Sequence, residues 1–258
     1  MDYEFIKYQK KGRVVYITIN RPEVLNALHI PAHNEMYKAF CDFRDDPECW
    51  VAILTGTGER AFCAGNDLKF TASGSSKGLI SSPGGFGGIT RNFECWKPII
   101  GAVNGYALGG GLELALACDI LIAADHARFG VPEPRVGMEC DTALRRLPRQ
   151  IPLKIAMGLI MTGKQIDANE AYRIGLINEI VSLKDLMICA ERWALEILEG
   201  APLSIRGSKQ AAILSLDVPL QQALNTPYPL ITELRRSEDY IEGPKAFSEK
   251  RKPDWKGH

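Results

Sequence analysis

Residues 99–124 form the segment that most restricts how this chain can fold. An apolar run over residues 99–103 predicts a buried strand, and residues 119–124 predict another. Three consecutive glycines at positions 109–111 and a helical pattern over residues 112–117 lie between the two runs. A strand, a glycine turn, a helix and a further strand in this order are typical of a layered α/β core, in which crossovers join neighbouring strands.

The chain before this segment continues the α/β pattern. Two apolar runs over residues 3–8 and 14–19 predict a hairpin that turns at Gly12. Pro31 opens a predicted helix that continues to about residue 43, because apolar side chains recur there at helical spacing. Another strand is predicted over residues 50–55.

After residue 141 the sequence is mostly helical. Asp167 and Ser182 stand where a helix begins and are predicted N-caps. The pattern predicts one strand near residues 177–181 and helices over residues 141–150, 153–161, 167–174, 183–198, 204–214 and 237–251.

Composition excludes several classes of partner. The 258 residues suffice for one large α/β domain, or for a domain with a helical appendage. Lys plus Arg and Asp plus Glu both number 31, and this balance argues against a general attraction to nucleic acid or to a membrane surface. The N-terminal residues lack the form of a signal or transit peptide. No apolar run approaches the roughly 18 residues that cross a bilayer.

Cysteine and histidine spacing favours structural roles. Seven cysteines without a C-x-x-C pair predict reduced, mostly buried thiols in a cytosol-like compartment, so we expect a cytoplasmic protein. Cys63 and Cys118 are predicted core residues. The four histidines show no convincing metal-ligand spacing, and Pro31 lies between His29 and His33, which favours a structural role for that pair.

Two glutamates that follow glycine-containing turns are candidate acid–base groups. Glu113 follows the triple glycine, and Glu133 follows the run F-G-V-P at residues 129–132. Paired carboxylates can move protons, and small residues let backbone N–H groups approach a ligand. Each glutamate also has a structural alternative, because an acid in the first turn of a helix is stabilised there and an acid after a proline fits a cap or an ion pair. The residues alone leave these alternatives open.

Three further segments have more than one interpretation. Residues 56–61 read G-T-G-E-R-A after a strand and fit a dinucleotide-binding pattern, but no helix signal begins there and no acid stands about twenty residues further on, so we reject that interpretation. Asp67 is predicted to cap a short helical segment over residues 68–70. The Ser/Gly-rich residues 73–88 predict either a binding lid or a disordered loop, and their place between two candidate ligand-contacting segments favours a lid.

Several stretches resemble the enoyl-CoA hydratase/isomerase (crotonase) family, and together they cover nearly the whole chain. The matching stretches are N-R-P at residues 20–22, L-N-A-L at 25–28, F-C-A-G-N-D-L at 62–68, A-V-N-G-Y-A-L-G-G-G-L-E-L-A at 102–115, F-G-V-P-E at 129–133, T-G-K at 162–164 and G-L-I-N at 175–178. Within the family, the stretches at residues 43–47, 83–88 and 242–251 are most similar to the branch of the carnitinyl-CoA dehydratases.

The resemblance implies an acyl-CoA thioester as substrate, with coenzyme A entering as part of it and no separate cofactor. By motif position, the thioester oxygen lies between the N–H groups of Asn66 and Gly110, which would stabilise an enolate-like charge. Glu113 maps to the position that activates water and Glu133 to the position that protonates the α-carbon. The presence of both acids favours hydration or dehydration over isomerisation. The resemblance assigns substrate and coenzyme A contacts to Glu23, Val24, Leu25, Ala64, Asp67, Leu68 and Lys250.

The resemblance also implies a fold and an assembly. The expected fold is an α/β spiral of ββα units of the ClpP/crotonase type over residues 1–198. A C-terminal helical region over residues 199–258 is expected to form trimers, often paired as hexamers. No nucleic-acid or membrane partner is expected.

The chain departs from the family after Gly137. Family hydratases usually carry a Pro-containing, double-glycine turn there, whereas residues 138–146 read M-E-C-D-T-A-L-R-R, a stretch that lacks those glycines and is one residue shorter. That turn ordinarily lines the acyl pocket, so side chains such as Glu139 and Asp141 could narrow it, bind a polar or trimethylammonium-bearing acyl group, or misplace the water. A catalytically weak homologue that binds CoA thioesters is therefore the second hypothesis.

Overall fold

The computed structural model describes residues 3–74 and 82–258, which form two β-sheets covered by helices. The strands are β1 Ile6–Lys11, β2 Val14–Ile19, β3 Val51–Gly56, β4 Ala61–Cys63, β5 Ile99–Val103, β6 Tyr106–Leu108, β7 Ile120–Ala124, β8 Arg128–Gly130, β9 Gln165–Asp167 and β10 Glu179–Val181. The α-helices are α1 Ile30–Asp45, α2 Leu68–Ala72, α3 Gly110–Leu116, α4 Ala143–Gln150, α5 Leu153–Thr162, α6 Ala168–Arg173, α7 Leu186–Leu198, α8 Pro202–Ser215, α9 Leu220–Asn225, α10 Pro229–Leu234 and α11 Asp239–Ser248. Short 3-10 helices cover Pro22–Val24, Phe86–Gly88, Glu133–Val136 and Leu183–Asp185.

The two sheets are wound as a spiral. The larger sheet has the order β1-β2-β3-β5-β7-β10, in which only β1 runs antiparallel to its neighbour. The smaller sheet has the order β4-β6-β8-β9, in which only β9 is antiparallel. Each of the pairs β3/β4, β5/β6 and β7/β8 gives its first strand to the larger sheet and its second to the smaller one. Helices α2 and α3 follow the first two pairs, as expected for repeated ββα units.

Both faces of the larger sheet are buried, and the alternation along its strands explains why. On β3, Val51 and Ile53 pack in a cluster with helix α7, whereas Ala52 and Leu54 join the main core beneath α1 and α3. All four side chains are inaccessible to solvent, as is Phe40 of α1. Complete burial of a side chain such as Leu54 or Phe40 stabilises the fold by about 1.5–3 kcal/mol. This core fixes the strands on which the site residues stand.

The long elements agree with the sequence predictions. The β1–β2 hairpin turns at Gly12 with a φ of +57°, and β5 has the predicted bounds. Asp167 caps α6, because its carboxylate accepts a hydrogen bond from the Glu170 N–H at 2.9 Å. Ser182 stands at the predicted N-cap position, but the helix that follows it is a 3-10 helix. Its hydroxyl donates to the Asp185 carboxylate instead of accepting from a helix N–H.

The smaller sheet and helices α9 and α10 were not predicted from the sequence. Each strand of that sheet has only three residues, which is too short for a periodic pattern to be recognised. The rejected dinucleotide motif at residues 56–61 connects β3 to β4, and no helix begins within it.

The thiols are reduced and mostly buried, as predicted. All seven cysteines lie in the described ranges without a disulfide; six are buried and Cys41 is partly exposed. Cys63 and Cys118 belong to the main core, as predicted. Among residues 3–74 and 82–258, no helix combines the length and apolarity that a bilayer crossing requires.

Candidate active site

The candidate residues gather at the carboxyl ends of three neighbouring parallel strands. Strands β4, β6 and β8 lie side by side in the smaller sheet, and each is followed by one of the sequence motifs. Residues 64–67 follow β4, residues 109–113 follow β6, and residues 131–133 follow β8. Ligands of open α/β sheets bind outside the carboxyl ends of the strands, so the topology alone places these three motifs at a plausible site.

The backbone at Gly65 touches the backbone at Gly110. A Cβ atom added to Gly65 would lie 3.4 Å from the Gly110 nitrogen and 2.9 Å from the Leu108 carbonyl oxygen. Within the described part of the chain, neither the Asn66 N–H nor the Gly110 N–H donates a hydrogen bond. Two neighbouring N–H groups without acceptors are suited to receive one negatively charged oxygen.

Residues far upstream hold Asn66 in place. The Leu28 N–H donates to the Gly65 oxygen at 2.9 Å, and the Asp67 N–H donates to the Leu28 oxygen at 2.8 Å. Asp67 caps α2 through the Phe70 N–H at 3.1 Å and binds the Arg21 guanidinium at 3.0 Å. Although burial opposes it, these donors keep the pKa of Asp67 below its usual value. The predicted cap is confirmed. The family-like stretches within residues 20–28 and at residues 62–68 are bonded to each other and form one structural unit.

Glu113 stands in the first turn of α3 with its carboxyl group buried. The backbone N–H groups of Thr142 and Ala143 both donate to its Oε1 atom, at 2.5 and 3.2 Å. These two bonds fix the orientation of the carboxyl group and attach it to the start of α4. Glu113 is therefore held in a defined geometry and does not point into bulk solvent.

Glu133 lies against the glycine run that carries Glu113. Gly109 has a φ of +56°, and a Cβ atom added there would lie 2.2 Å from Glu133 Oε1. The Glu133 Oε2 atom is buried and has no hydrogen-bond partner among the described residues. Burial raises the pKa of Glu133, and the nearby Glu113 carboxyl raises it further. A carboxyl group in this environment retains its proton to higher pH and is suited to act as an acid.

The Cys140 thiol lies between the two carboxyl groups. It is within hydrogen-bonding reach of both Glu113 and Glu133, and only 3% of the residue is exposed. Burial raises the pKa of this thiol well above its usual value, and the two neighbouring acids add to the effect. The thiol therefore remains protonated and is not a nucleophile.

The structure brings only part of the predicted coenzyme A contacts together. Leu25 and Ala64 are neighbours, because the Ala64 N–H donates to the Leu25 oxygen at 3.1 Å. Glu23 is exposed, Val24 and Leu25 are half-buried, and Leu68 is 47% exposed at the start of α2. Lys250 follows α11, and among the described residues no hydrogen bond or ion pair joins it to these positions, so its role stays a prediction.

Asp141 is not a free acid facing the pocket. Its carboxylate forms ion pairs with the Arg91 and Arg145 guanidinium groups, which balance its charge. Glu139 is exposed to solvent. The suggestion that Asp141 recognises a cationic acyl group therefore receives no support from the geometry.

Part of the predicted lid packs against the site. The ring of Phe86 lies beside Gly110, so a Cβ atom added to that glycine would be 2.4 Å from the ring. His33 of α1 accepts a hydrogen bond from the Gly87 N–H at 3.0 Å, and its ring meets Phe86 edge to face at 4.6 Å. Of the predicted lid, residues 75–81 lie outside the described residues.

Histidines near the site have structural partners. His29 caps α1 by accepting from the Ala32 N–H at 3.4 Å, and His33 accepts from Gly87. In the ranges that the structure describes, no group of three His, Cys, Asp or Glu side chains has an arrangement suited to a metal ion.

Comparisons with known proteins agree with this geometry. Residues 9–258 match the family model described as enoyl-CoA hydratase/isomerase, and the chain belongs to this family. The enoyl-CoA hydratases of Mycobacterium tuberculosis H37Rv and Bacillus anthracis match the structure with a TM-score of 0.90 each, at 35% and 33% identity. These matches cover 98% and 99% of this chain and 99% and 100% of the two neighbours. The predicted family and fold are thereby confirmed.

The chain is also similar to named relatives in one branch of the family. The carnitinyl-CoA dehydratases of Citrobacter koseri and Escherichia coli strain K12 are each 42% identical to it over 262 residues. Each alignment covers 98% of this chain and 99% of the relative. The branch suggested by residues 43–47, 83–88 and 242–251 agrees with these relatives.

Sequence reasoning missed three residues that the structure places at the site. Cys140 contacts both carboxyl groups, Thr142 binds Glu113 through its N–H, and Phe86 covers Gly110. The shortened turn after Gly137 was a signal for the first two, but a departure from a pattern does not indicate which side chain turns inward. No sequence signal distinguished Phe86 from its neighbours.

Proposed function

We propose that this chain is a hydro-lyase that adds water across, or removes it from, the 2,3-bond of an acyl-CoA thioester. It is thus an enoyl-CoA hydratase or 3-hydroxyacyl-CoA dehydratase. The observation that carries the proposal is the placement of two buried carboxyl groups beside one glycine run: Glu113 is held by two backbone N–H groups, and Glu133 lies against Gly109. Beside them, the Asn66 and Gly110 N–H groups have no acceptor among the described residues. Membership of the enoyl-CoA hydratase/isomerase family supports the reaction class.

The proposed reaction distributes three roles over these groups. The thioester oxygen accepts hydrogen bonds from the Asn66 and Gly110 N–H groups. Glu113 takes a proton from water while the water oxygen bonds to the β-carbon, and the electron pair of the double bond moves toward the thioester oxygen. Glu133 then gives its proton to the α-carbon. Each preorganised donor at such an oxygen contributes roughly 2.7–4 kcal/mol to the transition state. Dehydration follows the same steps in reverse.

The environments of the two acids support this division of roles. Burial raises the pKa of Glu133, so it can hold the proton that the α-carbon receives. Glu113 is fixed by two backbone N–H groups on one oxygen, which suits a group that must accept a proton from a positioned water. An isomerase needs only one such acid, so the presence of both Glu113 and Glu133 at the same glycine run favours hydration or dehydration.

For the acyl group, we infer a substrate like that of the carnitinyl-CoA dehydratases. The support is the 42% identity to those relatives over nearly the full length of both chains. Asp141 is already paired with two arginines, so we assign it no role in recognising a quaternary ammonium group.

For the assembly, we infer a homotrimer or a homohexamer. Leu216, Leu220 and Leu224, at the end of α8 and on α9, are each more than two-thirds exposed. Clustered exposed apolar side chains mark protein interfaces. Light scattering after gel filtration should therefore give three or six times the mass of one chain. The seven unpaired cysteines fit a cytoplasmic location.

The reaction is tested by giving the purified protein crotonyl-CoA and crotonobetainyl-CoA and following loss of the enoyl thioester absorbance. Glu113→Gln and Glu133→Gln should each reduce turnover at least about 100-fold, while calorimetric binding of a CoA thioester survives. Glu139→Gln, which alters an exposed acid in the neighbouring turn, is the matched control and should keep wild-type turnover. Undiminished turnover in both active-site variants would overturn the mechanism.

The second candidate is a catalytically weak homologue that binds CoA thioesters. One specific observation favours it: two N–H groups of the turn after Gly137 donate to Glu113 Oε1. That oxygen of the acid assigned to activate water is therefore already hydrogen-bonded to the protein. Binding of both thioesters without turnover of either would support this candidate against the first.

A further inference from the structure

The turn over residues 138–143 is attached to both candidate acids. The Met138 N–H donates to the Glu133 backbone oxygen at 3.0 Å, and the Thr142 and Ala143 N–H groups donate to the Glu113 carboxylate. The turn therefore spans from one acid to the other. Of its side chains, those of Cys140 and Thr142 are buried, whereas Met138 and Glu139 are exposed.

Thr142 carries a buried hydroxyl group that the protein does not use. The residue is 9% exposed, and its Oγ1 atom has no hydrogen-bond partner among the described residues. Thr142 stands at the N-cap of α4, where a threonine oxygen normally accepts from a helix N–H, yet it makes no such bond. A buried polar group without a partner costs about 1–3 kcal/mol, so native proteins rarely leave one unless a ligand or water satisfies it.

Covalent geometry keeps this hydroxyl group close to the Glu113 carboxyl group. The Thr142 nitrogen is 2.5 Å from Glu113 Oε1. Because the threonine side chain is short, its Oγ1 atom stays near that carboxyl group. Glu133 Oε2 is a second buried oxygen without a partner, and Cys140 connects its carboxyl group to Glu113. A buried water needs two to four polar partners, and this cluster offers them.

We propose that the Thr142 hydroxyl is a ligand of the reacting water, acting beside Glu113 and Glu133. This inference rests on the proposed hydratase function. Glu113 accepts one hydrogen of the water and Thr142 Oγ1 accepts the other, which directs a lone pair of the water oxygen toward the β-carbon. When the carbon–oxygen bond forms, the first proton passes to Glu113, and the second hydrogen stays on the product hydroxyl, still bonded to Thr142. Glu133 supplies the α-proton, so the step is balanced.

The test compares Thr142→Val, which keeps the shape and removes the hydroxyl, with Thr142→Ser, which keeps the hydroxyl. With crotonyl-CoA, Thr142→Val should lower kcat by about tenfold or more, corresponding to one lost hydrogen bond to the water. KM should change little, because the residue contacts water and not the thioester. Thr142→Ser should keep kcat near the wild-type value. The Tm of unliganded Thr142→Val should stay close to that of the wild type, because valine keeps the shape of threonine and no described protein group bonds to the Thr142 hydroxyl.

Each outcome bears on the inference separately from the overall reaction. If the wild type turns over crotonyl-CoA and Thr142→Val has the same kcat, the role of Thr142 is overturned and the hydratase function still holds. A fall in kcat that Thr142→Ser does not restore, or that accompanies a lower Tm in both variants, shows a packing role and also overturns it. An inactive wild-type protein overturns both proposals. If Thr142→Val does not fold, Thr142→Ala with the same kcat, KM and Tm measurements takes its place.

Discussion

Substitution of Gly109 by alanine should inactivate the enzyme while leaving it folded. A Cβ atom at this position would lie 2.2 Å from Glu133 Oε1, whereas real Cβ contacts stay above 3.0 Å. The carboxyl group is the free end of a side chain, so it can retreat by roughly 1 Å, and a displacement of that size can cost about 100-fold in rate. We therefore expect kcat for crotonyl-CoA hydration to fall about 100-fold.

The same substitution also strains the backbone, and a control separates the two effects. Gly109 has φ +56° and ψ −124°, which a residue with a side chain adopts at a cost of about 1–3 kcal/mol. Gly12 has φ +57° at the first position of the two-residue β1–β2 turn, the type II′ geometry, and an added Cβ there meets nothing within 4 Å. Gly12→Ala thus carries similar strain without displacing Glu133.

The measurements are steady-state hydration and thermal unfolding of both variants. Gly12→Ala and Gly109→Ala should lower Tm by comparable amounts, and only Gly109→Ala should lose activity. If Gly109→Ala kept most of the wild-type kcat, the contact between Gly109 and Glu133 would have no catalytic meaning. If Gly12→Ala lost activity to the same degree, strain and not displacement would be the cause.

Two further predictions concern pH. Burial raises the pKa of Glu133 above its ordinary value of 4.5, so the unfolded chain releases this proton at a lower pH than the folded protein does. Stability is therefore lost as pH rises from 4.5 through the raised pKa of the folded state. Glu133→Gln should raise Tm above that of the wild type at pH 8 but not at pH 4, and equal Tm values at pH 8 would contradict this. Burial lowers the pKa of His33 from 6.5 to about 4, so stability is lost as pH falls through that range. Between pH 7 and pH 5, the urea midpoint of His33→Asn should therefore fall less than that of the wild type. An equal fall in both proteins would show that another group controls the pH dependence of stability.

Glu113 and Glu133 show what the spacing of residues in the sequence can predict and what it cannot. Glu113 and Glu133 are twenty residues apart, and each had a structural alternative as a cap or an ion-paired residue. The structure shows that Glu113 accepts N–H groups of a distant helix and not those of its own, and that Glu133 Oε2 has no hydrogen-bond partner among residues 3–74 and 82–258. Neither arrangement is encoded locally, because the partners at residues 140–143 depend on how α4 packs against α3.

Cys140 and Asp141 also show that the sequence does not indicate which side chains contact the candidate acids. Both stand in the shortened turn, and the sequence drew attention to the acid rather than to the thiol. In the fold, Asp141 is neutralised by Arg91 and Arg145, whereas Cys140 is buried against both catalytic candidates. Charge and polarity alone therefore do not indicate which of the two side chains turns toward the candidate acids.

The sequence by itself determined the periodic elements and the glycine positions, since strand alternation, helical spacing and small residues act over a few neighbouring positions. It therefore specified the larger sheet, most long helices and the motifs after residues 63, 108 and 130. Only the tertiary structure decided the smaller sheet, whose three-residue strands exist because each is paired with a strand from another repeat. That pairing sets the carboxyl ends of β4, β6 and β8 side by side, and so it creates the site.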